Sequence, residues 1–374
     1  FFFTKASNVT TNDAQSLFLR CAMNASTPVL LVLVALWYGS SAACTTTSKQ
    51  LLALLSPQHC ALQLTSMQFG VAMLAAAVVS LCSGKMPLLP YCVWPLAGAI
   101  ALSYTAGFVL LNLSLLYIHA SLAETVRGLE PLCSAAIACA LGVRGGRMSA
   151  RALLALVALV VGGTLSALSQ PVSERSEGFY LGLLLANGAN LAFAFRGTFT
   201  TAAQDLLAAE NERPLDANAI FLYQHAMGFA VTVLLSVGAG GYPSRLVSGE
   251  SREVVMLLAS SASAFFAYNR LSLAVLLRLN AVSHSVCNAL RRAVTVAAAT
   301  LIFGNTVTLL SLTAIGLVVG GSGGYALAVA ADKAVAARGK EAYPSETEED
   351  DPARACAPSL SKDEAPLLPA KEPA

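Results

Sequence analysis

The chain has 374 residues, 56% of them hydrophobic and only 12% charged, with a mean hydropathy of +0.65 and a formal net charge of +2. A soluble domain carries about 25% charged residues, so the natural solvent of a surface this poor in charge is lipid. The small net charge gives no basis for binding nucleic acid. The cysteines, at 21, 44, 60, 82, 92, 133, 139, 287 and 356, show neither a CxxC nor a Cys/His spacing, and most lie in apolar runs. Cysteine there acts as a small hydrophobe. No disulfide framework, metal site or cofactor is expected.

A bilayer core asks for about 20 apolar residues per spanning helix, and ten runs qualify. They lie at about 28–47, 58–82, 92–117, 120–142, 151–169, 179–203, 217–238, 254–277, 281–303 and 307–330. The first, sixth and ninth are less apolar than lipid-facing helices should be, which predicts a face turned to a cavity. Short connections rich in Gly, Pro and charge join the runs. The predicted organisation is a flexible segment 1–27, a five-helix half 28–169, a second half 178–331 and a disordered tail 332–374, rich in Pro, Glu and Ala. The tail carries Asp363 before Leu367 and Leu368, which fits an acidic dileucine sorting pattern and also arises by chance in such a composition. Because residue 1 is Phe, a preceding targeting segment stays open.

With ten spans, Lys5, Arg20, Lys85, Arg144, Arg147, Arg151, Arg213, Arg278, Lys333, Arg338 and Lys340 fall on one side, against Lys49, Arg175, Arg245 and Arg252 on the other. This bias predicts both termini on the cytoplasmic or equivalent side. The sequons at Asn8 and Asn24 argue for a luminal N-terminus, but triplets of that kind are frequent.

The string LVVGG occurs at 159–163 and again at 317–321, in the last helix of each half. Five helices per half is an odd number, so two equivalent halves must enter the membrane from opposite sides. The fold class expected is therefore an all-α membrane protein of ten transmembrane helices in two inverted five-helix repeats, with substrate near the midplane between them.

Three charges stand out within the apolar runs: Arg127 in the fourth helix, and Arg291 and Arg292 in the ninth. An Arg at the centre of a spanning helix costs roughly 2.5–3.5 kcal/mol on insertion scales. Glu124 and Glu130 stand three residues to either side of Arg127, so purely structural ion pairs are one reading. Two carboxylates against three guanidinium groups leave a positive excess, and the other reading is an anion site. The guanidinium fork matches phosphate oxygens two at a time. Neighbours on a helix point about 100° apart, so of Arg291 and Arg292 one should face the cavity and the other a carboxylate or a helix end. Ser283, His284, Ser285 and Asn288 lie on the same helix, Tyr268 and Asn269 on the one before, and Asn187, Asn190 and Arg196 on the sixth. A structural role for His284 and an interfacial one for Arg196 stay open.

The run SHSVCNALRRAVTV (283–296), preceded by YNRLS (268–272), resembles the penultimate-helix signature of the triose-phosphate/phosphate translocator family of the drug/metabolite transporter superfamily. VRGLEP (126–131), NLAFAFR (190–196) and the LVVGG strings resemble other parts of that family, and the resemblance runs from about 28 to 330. It implies a secondary transporter that exchanges a phosphorylated small molecule for inorganic phosphate by alternating access. By motif, the two phosphate-holding lysines of the plastid members correspond to Arg127 and Arg291 here, and their arginine to Arg292. A site tyrosine corresponds to Tyr268, and a third-helix histidine is replaced by Phe108, while Asn112 and Ser114 still fit. The binding residues expected are thus Arg127, Arg291, Arg292, Tyr268, His284, Asn288 and Asn190.

The alternative is a nucleotide-sugar/nucleoside-monophosphate antiporter of the endomembrane system, which needs the same cationic core. The corresponding location is a plastid envelope or a Golgi or endoplasmic-reticulum membrane. The partners are the phosphorylated substrate and the bilayer, with a homodimer left open. No nucleophile–base pair or sizeable soluble domain supports an enzyme.

Overall fold

The structure, a computed structural model, describes residues 27–55, 59–82, 88–140, 149–171, 177–239, 252–276, 278–279, 281–304 and 307–342. The two sequons, the dileucine pattern and most of the charged connections lie outside them. All regular structure among the described residues is helical.

In chain order the helices are α1 (Thr27–Leu55), α2 (His59–Cys82), a 3₁₀ turn (Tyr91–Val93), α3 (Trp94–Tyr117), α4 (Ala120–Arg127), α5 (Glu130–Ala140), α6 (Ala150–Leu168), α7 (Glu177–Ala209), α8 (Ala217–Gly238), α9 (Arg252–Leu276), α10 (Ala281–Phe303) and α11 (Leu309–Ala342). Among the described residues nine helices are long and apolar enough to cross a membrane. They match nine of the ten predicted runs. The remaining run, 120–142, is divided between α4 and α5, each too short to span by itself.

The chain divides into two units, 1–331 and Asp332–Ala374. Of the second, only residues 332–342 are described, and they are helical. The first holds the helix bundle. Its exterior is apolar: on α6, Leu153, Leu154, Val157, Val160 and Val161 are exposed, while Ala152, Ala155, Leu156, Leu159, Gly162 and Gly163 are buried at the 3–4 residue spacing of one helix face. An apolar face on each side is what a helix needs between protein and lipid.

α1 runs eight residues beyond the predicted end at 47, past the polar string TTTSK at 45–49. The helix accommodates these hydroxyls by turning them back on its own backbone: Thr46 donates to the Ala42 carbonyl at 2.8 Å and Thr47 to the Ala43 carbonyl at 2.6 Å. Lys49, assigned from sequence to a connection, lies within α1. Its ammonium donates to the Leu115 and Ile118 carbonyls, the open end of α3.

Helix pairing is orderly. α3 packs on α7, and α9 on α1; α3 also packs on α8, and α9 on α2. α10 lies against α1, and α4 and α5 lie against α7. α2 pairs with α8, and α4 with α10. The two LVVGG strings meet: a side chain on Gly162 would press on Leu317 and Val318 of α11, and one on Gly321 would press on Ala155 and Leu159 of α6. At the α2–α8 crossing Phe229 covers Gly70, and Phe69 covers Gly228.

The break between α4 and α5 has a local cause. Pro131 has no N–H for the Arg127 carbonyl, and its ring crowds that carbonyl. The backbone tightens to three-residue bonds, with Gly128 N–H donating to Thr125 O and Leu129 N–H to Val126 O, each at 2.9 Å. Across the bundle the Asn190 amide on α7 donates to Val126 O at 2.7 Å, a second bond to that carbonyl that ties the break to α7. Gly128 fits because α11 is close: a Cβ there would collide with Val318.

Candidate functional site

The three arginines come together. Arg127 ends α4, Arg291 and Arg292 lie midway along α10, and all are buried, at 8%, 4% and 5% exposure. Arg127 Nη1 lies 3.5 Å from Glu124 Oε1, and its guanidinium stands over the Phe193 ring, 5.1 Å from the centroid. Arg292 Nη2 donates to Glu130 Oε2 at 2.7 Å. Arg291 has only neutral partners among the described residues: Nε donates to Asn288 Oδ1 at 3.0 Å, Nη1 donates to Ser41 Oγ, and the group sits between the rings of Tyr268 and Trp37, at 5.8 and 5.9 Å.

The two neighbouring arginines thus part as a helix requires, Arg291 to the cavity and Arg292 to a carboxylate. Of the two carboxylates flanking Arg127, Glu124 lies against it, while the hydrogen-bonded ion pair of Glu130 is with Arg292. The break at Gly128–Leu129 lies between positions 127 and 130 and abolishes the regular i,i+3 geometry.

A cavity opens before Arg127 and Arg291. Ser41, Thr45 and Glu124 border it beside the cations, and Tyr268 flanks it. Its other wall is Phe108, Phe265, Gln68 and Asn112. The amides there form a closed network, with Asn112 donating to Gln68 Oε1 at 3.1 Å and to Thr65 at 2.9 Å, and Gln68 donating to Ser48 and Ser261 at 3.1 and 2.9 Å. Phe108 makes edge contacts with Phe193 and Phe265, at centroid distances of 5.0 and 4.9 Å. The cavity is therefore lined by cations, aromatic rings and amides together.

The remaining predicted residues serve the site at different removes. Asn288 holds Arg291. His284 bonds Ser272 Oγ at 3.2 Å and stacks on Trp37, centroids 5.0 Å apart, so it backs the ring that Arg291 overlies. Asn190 meets the α4 backbone, and no cavity contact is recorded for it. Asn187 is exposed and bonds its own helix at Leu183 O, and Ser285 is exposed too. Arg196 packs over the Tyr104 ring at 5.2 Å, in a separate cluster where Tyr104 also meets His225 and Asn269, each at 3.2 Å. Sequence reasoning missed Ser41, Thr45 and Trp37 on α1. The unusual polarity of that run was the available signal, but not which of its hydroxyls point inward.

Fold and site together define a polytopic helical membrane protein with a buried cationic cavity. A model of the Triose-phosphate Transporter family matches residues 28–326, and the chain belongs to that family. Among curated proteins it is 26% identical over 227 residues to "Phosphoenolpyruvate/phosphate translocator 1, chloroplastic" and 27% identical over 227 residues to "Phosphoenolpyruvate/phosphate translocator 3, chloroplastic", both from Oryza sativa subsp. japonica. Each match covers 59% of this chain and 53% or 55% of the relative, so the chain spans about half the length of the curated relatives it matches. A solved crystal structure shares the fold with a TM-score of 0.50 at 16% identity, covering 81% of this chain and 96% of the other.

Proposed function

We propose that this protein is a secondary transporter that exchanges a phosphorylated small molecule for inorganic phosphate by alternating access. Arg127 and Arg291 receive the phosphate group, Arg292 braces the site through Glu130, and Tyr268, Asn288, His284 and Asn190 hold it in shape. The observation that carries the reading is Arg291, a buried guanidinium with no carboxylate partner among the described residues, facing a cavity beside a second arginine. An uncompensated buried charge costs several kcal/mol, and an entering phosphate removes that cost. A loaded cavity then closes more readily than an empty one, which favours one-for-one exchange.

Ten crossings in two inverted halves, 28–169 and 178–331, supply the two access states. Two observations support this. Exchanging α1 with α7, α2 with α8, α3 with α9, α4/α5 with α10 and α6 with α11 maps each packed pair described above onto another packed pair or onto itself. The LVVGG strings, 158 residues apart, also pack on each other, and Gly70 and Gly228 at the α2–α8 crossing have the same spacing.

The rice relatives are named for phosphoenolpyruvate and chloroplasts, which favours a compact organophosphate and a plastid envelope. The aromatic wall of Phe108, Phe265 and Tyr268 keeps the nucleotide-sugar alternative in view, since a base stacks on such surfaces. Counter-exchange in proteoliposomes separates the two. Vesicles loaded with phosphate should take up labelled phosphoenolpyruvate or triose phosphate, and Arg291→Ala should abolish uptake. Uptake confined to vesicles loaded with nucleoside monophosphate would instead establish the nucleotide-sugar reading. Normal exchange by correctly inserted Arg127→Ala and Arg291→Ala would sink both.

A further inference from the structure

Glu124 has no part in that scheme beyond its link to Arg127, yet it lies at the centre of the cations. It is 1% exposed, and it borders both the main cavity, with Arg127 and Arg291, and a second one lined by Arg292. Oε1 accepts from Thr45 Oγ1 at 3.1 Å and is the oxygen nearest Arg127. Oε2 is buried and has no hydrogen-bond partner among the described residues.

The titratable and charged groups that share a cavity wall with it are Arg127 on its own helix, Cys44 on α1, Tyr268 on α9 and Arg291 and Arg292 on α10; Glu130 on α5 is paired with Arg292, and Arg196 on α7 lies over Tyr104. In the empty cavity Glu124 Oε1 accepts from Thr45 and lies beside the Arg127 guanidinium, contacts that suit a carboxylate. A phosphate dianion drawn to Arg127 and Arg291 enters beside Glu124, which borders the same cavity. Two anions in contact away from water cannot both keep their charge. The charge sum agrees. Three guanidinium groups against Glu124 and Glu130 leave one positive charge, a dianion turns this into one negative charge, and one proton makes the loaded site neutral.

We propose that Glu124 is a proton-binding site of the transport cycle, ionised in the empty cavity and protonated when a phosphate dianion occupies it. The inference rests on the phosphate-exchange reading above. Binding then takes a proton from solution and strengthens as pH falls. Exchange of one dianion for another carries no net protons.

The test is proton uptake on adding inorganic phosphate to the full-length protein in detergent, weakly buffered at about pH 8, with binding followed in parallel by calorimetry. Wild type and Glu124→Asp should take up about one proton per phosphate bound, and Glu124→Gln close to none. Equal uptake by all three would put the proton on phosphate itself and overturn the proposal, as would binding by wild type with no uptake. Thr45→Val removes a donor to the ionised carboxylate and should move the pH range of uptake upward; an unmoved range also overturns it. Wild type that binds no phosphate at all would remove the transport reading instead, and the absence of binding heat tells the two failures apart.

Discussion

At the scale of single residues, charge is distributed by partner rather than by position. Arg127 and Arg292 each hold one carboxylate, and Arg291 is left with an amide, a hydroxyl and two rings. Removing Arg292 should therefore act on stability first. Arg292→Met strands Glu130, and breaking a buried pair costs about 3–5 kcal/mol. Glu130 is 30% exposed at its side chain, so the expected loss is at the lower end or below. Thermal unfolding in detergent should show it, with most of the loss recovered in Arg292→Met/Glu130→Gln. The arginines themselves were legible because charge in an apolar run is rare. Their partners were not, since Ser41 and Thr45 reach the site from α1, far away in sequence.

At the scale of elements, the broken helix decides which carboxylate goes where. Pro131 is visible in VRGLEP, but with α4 and α5 read as one regular helix Glu130 stands within reach of Arg127, and its bond to Arg292 is not legible. Pro131→Ala restores an N–H for the Arg127 carbonyl, while the proline it removes sits in the first turn of α5 and carries little penalty there. A continuous helix would swing Glu130 away from Arg292. The expected outcome is a lower unfolding temperature together with slower phosphate exchange, since the Arg292–Glu130 pair is lost. Asn190→Leu should act differently. It removes one of the two donors to Val126 O, Leu129 N–H remaining, so the loss is that of one hydrogen bond, about 0.5–1.5 kcal/mol, and should appear as a small drop in thermal stability.

At the scale of the whole molecule, nine of the ten apolar runs read from length and hydropathy correspond, among the described residues, to helices long enough to cross a membrane, because lipid imposes one span length on a crossing. Helix neighbours were not readable, since α3 with α7 and α9 with α1 join distant segments. The repeated LVVGG string marked two equivalent places without showing that they touch. Within the α6–α11 seam the glycines are not equal: Gly162 and Gly321 are covered by the opposite helix, whereas a Cβ on Gly320 meets nothing within 4 Å. Gly162→Leu and Gly321→Leu should each overpack the seam, at about 1–3 kcal/mol or more. Gly320→Leu should be tolerated, as folded yield and unfolding temperature would show.

Trp37 has a consequence of an optical kind. The chain contains two tryptophans. Trp94 is 51% exposed at the start of α3, whereas Trp37 is 1% exposed, stacked on His284 and overlaid by the Arg291 guanidinium. A cation held against an indole shifts and dims its emission, and an anion that draws the cation away relieves it. With Trp94 replaced by Phe, the remaining fluorescence comes from an indole built into the wall of the cationic site, so occupancy is readable as light without any attached dye.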